Sequence, residues 1–212
     1  MAVLTISREF GAGGRTLGER LANRLNYRYV NEEMIKEVAR KANVSPEGVY
    51  AFEKSGGSKL MKFLDKLVRM DYLDRILQTD TGYLDAKRYV QLVSEIINEI
   101  YEAGNAVIIG RGGQYILQNK NQAYHVGLVA EYQFRCEFVM EKHGCSHEVA
   151  ERAIQRADQE RRSFLGCFME TGALHRDDPH LYHVLINTSK TGMQVAEDLV
   201  VSMVESGEAQ GG

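Results

Sequence analysis

VLTISREFGAGGRTLG, residues 3–18, decides how this chain folds. An apolar, largely β-branched run (Val3, Leu4, Thr5, Ile6) stops at Ser7, and a glycine cluster follows at Gly11, Gly13 and Gly14. Leu17, Leu21 and Leu25 then recur every fourth residue, which predicts a helix. Strand, glycine turn and helix in that order make a cradle for an anion. Glycines let the backbone turn tightly with its N–H groups inward, and the helix start adds partial positive charge. Gly11-Ala12-Gly13-Gly14 holds more small residues than a plain turn needs, and Arg8 and Arg15 flank it.

The short nucleotide-kinase form of a phosphate loop, Gly-x-Gly-Lys-Gly-Thr, lies over Gly11, Ala12, Gly13, Gly14, Arg15 and Thr16. Gly14 then occupies the lysine position, so the cation has to come from Arg15 or Arg8. Arginine can clamp phosphate oxygens through two N–H groups, which keeps the charge and changes the geometry. In the longer P-loop pattern Glu9 falls on the first glycine. A dinucleotide fingerprint fails at its third glycine, which is Thr16, although Asn31 and Glu32 lie where a ribose-binding acid would stand.

Working outward, strands are expected at residues 27–30, 106–110, 123–130 and 184–188, each separated from the next by helical stretches. That alternation implies a parallel, doubly wound sheet. Helices are expected over 32–42, from Ser45-Pro46-Glu47 onward, over 59–104 with a break at 79–83, and over 131–143, 146–164 and 192–205. Residues 55–58, Ser-Gly-Gly-Ser, read as a joint, and the polar tail 206–212 reads as disordered. Gly110-Arg111-Gly112-Gly113 ends a buried strand, which aims Arg111 at the crevice where open α/β sheets bind ligands.

The segment from Ser146 to residue 164 carries the remaining charge pattern. On a helix, Val149, Ala150, Ala153, Ile154, Ala157 and Phe164 share one face, Arg161 falls in that apolar sector, and Arg156 lies at its edge. A charge on a buried face needs a partner or a ligand. Asp158 or Glu160 would supply an internal partner. Alternatively, Arg156 and Arg161 would clamp a transferring phosphoryl group, since charge stabilisation is most of what that chemistry requires.

Composition narrows the classes. A net charge of -3 gives no support for a nucleic-acid or membrane-surface partner, and no apolar run reaches the roughly 20 residues that span a bilayer. Cys136, Cys145 and Cys167 lack metal-ligand spacing and are odd in number, so reduced thiols in a cytoplasmic protein are expected. The six histidines form no zinc pair, and Tyr29 or Tyr115 could stack on a base. The apolar residues of the helical insert suit a homodimer as well as burial within a monomer.

Several motifs in order resemble one family. Ile6-Ser7-Arg8-Glu9-Phe10-Gly11-Ala12-Gly13-Gly14-Arg15, Val107-Ile108-Ile109-Gly110-Arg111-Gly112-Gly113, Ala157-Asp158 with Arg161, and Asp178-Pro179 with Tyr182 and Ile186-Asn187-Thr188 resemble the cytidylate-kinase-like proteins, within the P-loop nucleoside-monophosphate kinases. The resemblance implies a three-layer α/β P-loop NTPase fold with a five-stranded parallel sheet, a helical nucleotide-monophosphate-binding arm and an arginine-bearing lid. It divides a single kinase domain into a core (1–30, 105–145 and 180–205), an acceptor-binding insert of about 31–104 and a lid of about 146–178. It further implies transfer of the γ-phosphoryl of ATP, with Mg2+, to a small nucleotide such as CMP or dCMP. Arg8, Arg15, Arg156 and Arg161 would act on the transferring group. Residues 11–16 would cradle ATP, and Arg111, Asn31, Tyr29 and Asp158 would line the acceptor site. Cytidylate kinases carry lysine where Gly14 stands, and their Asp-Gly-Arg-Asp reads Ile109-Gly110-Arg111-Gly112 here. A nucleotide-binding regulator without turnover and a kinase for a non-nucleotide metabolite are the alternatives.

Overall fold

A computed structural model describes residues 1–55, 85–168 and 178–210. Its centre is β1 (Val3–Arg8), whose residues 3–7 are all buried. The strand runs two residues past the apolar sequence because Ser7 and Arg8 still pair in register with Gly127 and Leu128 of β4. α1 (Gly14–Leu25) and β2 (Arg28–Val30) follow, then α2 (Glu32–Ala42) and α3 (Pro46–Ser55). After residue 84 come α4 (Ala86–Ala103), β3 (Ala106–Ile109), the single turn α5 (Gly113–Ile116) and β4 (Ala123–Val129). The chain continues through α6 (Tyr132–His143), α7 (His147–Leu165), two short 3-10 turns, β5 (Val184–Asn187) and α8 (Thr188–Gln210).

The five strands are parallel in the order β2-β3-β1-β4-β5. With side chains alternating across the pleat, Leu4, Ile6, Val107, Ile109, Val126 and Leu128 face one layer. There Leu17 and Leu21 of α1 and Val200 and Val204 of α8 cover them. Buried leucines of this kind contribute about 1.5–3 kcal/mol each. Among buried polar groups, Thr5 Oγ1 lies 2.8 Å from His125 Nδ1, while His125 Nε2 lies 3.3 Å from the Leu117 carbonyl. A carbonyl only accepts, so the imidazole carries its proton on Nε2 and accepts from the Thr5 hydroxyl at Nδ1.

Two expectations need correcting. Residues 206–210 are helical, because Glu208 accepts from the Tyr27 hydroxyl at 3.2 Å and Gly207 packs closely on Tyr124. Burial, with Glu208 beside it, pushes the Tyr27 phenol up to about 12. The last helix also begins at Thr188, not near 192, and is broken at Gly192 (φ 72°). The expected joint at 56–58 and helix over 59–84 lie outside the described residues.

The chain divides into two units. The first holds the sheet: Met1–Asn31, Ile97–Asp158 and Asp177–Gly212. The second comprises Glu32–Ile96 and Gln159–Arg176. Inside the second, Phe52 stacks on Tyr89 with ring centroids 4.8 Å apart, and Phe164 meets Tyr89 edge-on at 5.7 Å. The insert helices and the C-terminal end of α7 thus share one aromatic core. Glu53 accepts from the Tyr89 hydroxyl at 2.7 Å, which satisfies the polar atom in that core.

Candidate functional site

A parallel sheet brings the C-terminal ends of its strands to one edge, and ligands bind there where the strand order reverses. β1 is the reversal point of β2-β3-β1-β4-β5, and the glycine loop follows it directly. Gly11 (φ 87°) and Gly13 (φ 81°) adopt the left-handed conformation, which costs a side-chain-bearing residue roughly 1–2 kcal/mol. Gly13 is the N-cap of α1 and no side chain caps the helix. The first helical bond runs from Leu17 N–H to the Gly13 carbonyl at 3.0 Å. The N–H groups of residues 14–16 therefore precede the helical ladder and point their charge outward.

Side chains fix this loop from three directions. Glu9 Oε2 accepts from the Ala130 N–H at 3.1 Å and lies 3.4 Å from Arg135 Nη1. Arg135, only 3% exposed, grips Asp158 through Nη2 at 2.6 Å and Nη1 at 3.3 Å. Burial opposes the Arg135 charge, but Asp158 and Glu9 outweigh it, so its pKa is raised. Gly11 lies against the same residue: a Cβ there would stand 2.9 Å from Arg135 Cβ. From the far side, Thr188 Oγ1 donates to the Ala12 carbonyl at 3.1 Å. A cradle held this way meets an anion with little reorganisation.

Arginines surround it. Arg8 is half-buried at the end of β1, with its stem along Gly14 and its guanidinium against Gly110. Arg15 is exposed in the first turn of α1. Tyr29 rests its ring on Gly18 of α1, where a Cβ would stand 3.1 Å from Tyr29 Cε2. Burial and Glu19 push its phenol up, while Arg15, Arg8 and Asn31 pull the other way. Both guanidiniums thus act on the Tyr29 hydroxyl. Gly110 (φ 69°), Arg111 (φ 51°) and Gly112 (φ 71°) form three consecutive left-handed residues. This bend turns the Arg111 side chain so that Nη1 donates to the Asn31 carbonyl at 2.6 Å, with Asn31 Oδ1 at 3.3 Å.

Residues 11–16, Arg8, Arg15, Tyr29, Asn31 and Arg111 accordingly belong to one edge of the first unit. Asp158 sits beneath the loop in the clasp of Arg135, and Arg156 is exposed on α7. Arg161 is half-buried and belongs to the second unit. Sequence reasoning passed over Glu9, Arg135 and Thr188. Glu9 looked like a misfit to the loop pattern, and Arg135 gave no periodic signal because its partners come from the loop after β1 and from α7. The only available clue was a carboxylate inside an otherwise cationic loop.

ATP and Mg2+ fit this edge. A magnesium ion carried on nucleotide phosphates takes one or two protein oxygens and keeps several waters, and the Thr16 hydroxyl stands in the first turn of α1. Among the described residues no three His, Cys, Asp or Glu side chains gather as a metal centre. None of the described helices is long and apolar enough to cross a membrane.

In solved structures, an uncharacterized protein from Eubacterium ventriosum superposes with a TM-score of 0.67 at 19% identity, covering 97% of this chain and 99% of that one. A shikimate kinase from Acinetobacter baumannii in complex with shikimate gives 0.49 at 12% identity, over 97% and 94% of the two chains. The curated proteins contain no match. The model of the cytidylate kinase-like family matches residues 3–190. With its parallel five-stranded sheet and glycine loop after β1, the chain belongs to the cytidylate kinase-like family and has a P-loop kinase fold.

Proposed function

We propose that this protein is a cytoplasmic ATP-dependent phosphotransferase that moves the γ-phosphoryl of ATP to a nucleoside monophosphate, with CMP and dCMP the first acceptors to try. The observation that carries this reading is the uncapped start of α1 behind a loop pinned by Glu9, Arg135 and Thr188. Residues 11–16 hold the ATP phosphates through backbone N–H groups, and Thr16 contributes its hydroxyl. Arg111, anchored on Asn31, takes the acceptor phosphate. Arg156 and Arg161 neutralise the transferring group. Bound Mg2+ would supply further charge neutralisation on the phosphates. Asp158 supports the site through Arg135.

The test is ATP consumption with Mg2+ across CMP, dCMP, UMP, AMP, GMP and small alcohols, with ATP binding measured alongside. Turnover with one monophosphate is expected, and Arg161→Ala should lower kcat by about 100-fold or more, as loss of a transition-state charge contact does. No turnover on any acceptor would overturn the kinase reading. Binding without turnover would favour the regulatory one, which the glycine at position 14 and the absence of acids around Arg111 also suit.

A further inference from the structure

We infer that Arg8 and Gly14 are two halves of one exchange: the cation of the phosphate loop enters from the end of β1 through a slot that the glycine leaves open. This inference rests on the nucleotide reading of the same loop. A Cβ on Gly14 would stand 2.7 Å from Arg8 Cγ, 3.0 Å from Cβ and 3.2 Å from Cδ. Of these atoms Cβ is fixed by the backbone, and Cγ and Cδ can be cleared only by turning the whole arginine to another χ1 rotamer. Gly14 is a helical residue without the positive φ of Gly11 and Gly13. Its backbone therefore accepts any residue, and the obstruction is the Arg8 side chain. Farther along, the Arg8 guanidinium lies where a Cβ of Gly110 would be, so glycines from two loops form the slot's walls.

A lysine at position 14 and an arginine at position 8 would claim the same space beside the first N–H groups of α1. One cation excludes the other. Arg8 reaches the loop from the sheet side and spans toward Gly110, which neighbours the acceptor-facing Arg111. Its planar fork can bridge two oxygens where a lysine makes a point contact. Arg15 is exposed on α1.

The experiment is a cycle of four full-length proteins: wild type, Arg8→Ala, Gly14→Lys and the double variant. ADP and AMP affinities are read by calorimetry, and melting temperature is read for each. Arg8→Ala should weaken ADP by roughly 10- to 100-fold, the range for losing a hydrogen bond to a charged group, and weaken AMP less. Gly14→Lys should lower both melting temperature and ADP affinity. The double variant should recover both relative to Gly14→Lys. Wild-type ADP affinity in Arg8→Ala, or a double variant no better than Gly14→Lys, would overturn the exchange. A wild type that binds neither nucleotide would instead overturn the nucleotide reading, and the phosphate role of Arg8 with it. The melting temperatures would still decide whether the two positions compete for space.

Discussion

Two strand–glycine–helix turns stand side by side in this protein, Gly11-Ala12-Gly13-Gly14-Arg15 after β1 and Gly110-Arg111-Gly112-Gly113-Gln114 after the adjacent β3. Their N-cap glycines are nearly superposable in conformation, with φ 81° and ψ 15° at Gly13 and φ 71° and ψ 15° at Gly112. In each, the second glycine of the pair makes room for a β1 side chain. Gly14 yields to Arg8, and a Cβ on Gly113 would stand 3.0 Å from Thr5 Cγ2. Beyond the caps the two turns diverge. The first opens a helix of 12 residues and is pinned by Glu9 and Thr188. The second opens a helix of only 4 residues and places an arginine inside the left-handed bend itself. One turn thereby has the geometry proposed for an anion cradle, with its own dipole, and the other is a mount for a single guanidinium.

The largest expected effect breaks the first turn alone. Arg135→Ala removes a buried guanidinium from two half-buried carboxylates, Glu9 and Asp158, and losing its packing together with its two charged hydrogen bonds to Asp158 costs about 3–5 kcal/mol. Urea unfolding should show that loss, whereas Arg111→Ala should move stability by under about 1 kcal/mol. Equal effects from the two variants would show that the clasp under the first loop contributes nothing special.

The strand serving both turns, β1, leads to the second test through Thr5, whose hydroxyl meets His125 of β4. His125 is 2% exposed and its pKa is pushed down to about 4, first by burial and then by His183, against a smaller opposing pull from the Leu117 carbonyl. His183, which faces it, is itself lowered by burial. A folded pKa below the unfolded one means the unfolded chain takes up the proton first as pH falls. Stability from His125 is therefore complete above about pH 6.5 and lost progressively down to about pH 4, where the loss levels off near 3 kcal/mol. Urea midpoints across that window should fall in the wild type and flatten in His125→Gln. A wild-type profile as flat as the variant's would remove His125 as the cause.

The smallest effect sharpens the contrast within the second turn. Gly112→Ala places a side chain at φ 71° and should cost about 1–2 kcal/mol. Arg111→Gly relieves the same strain at φ 51° and should leave thermal stability unchanged or raised by up to about 1 kcal/mol. The Arg111→Gly protein should nonetheless show a KM for the acceptor about 10-fold higher, as expected for one lost charged contact. A raised stability with an unchanged KM would make Arg111 a structural anchor for Asn31 and no more.

Much of this was written locally and could be read as such. The run at residues 3–6, the glycines and the leucine repeat dictate strand, turn and helix through backbone sterics and periodicity, and both act within a few residues. The same holds for β3 and its Gly-Arg-Gly-Gly end, and for the alternation that makes the sheet parallel. Reading failed where the decisive contact was distant. Residues 206–210 look disordered by composition, yet dock through Gly207 on Tyr124 and Glu208 on Tyr27. Asp158 looked like an acceptor or lid residue, and only the packing of α6 on α7 gave it Arg135.

Local chemistry by itself determined the cradle, its place at a strand's end and the family of folds that build one. Tertiary structure alone decided why position 14 is glycine, what Glu9 does in a cationic loop and which side chains hold the cradle still. Those answers depend on atoms in or next to β1, β3, β4, α6, α7 and α8 meeting at one edge, and no spacing along a single segment encodes a contact between segments.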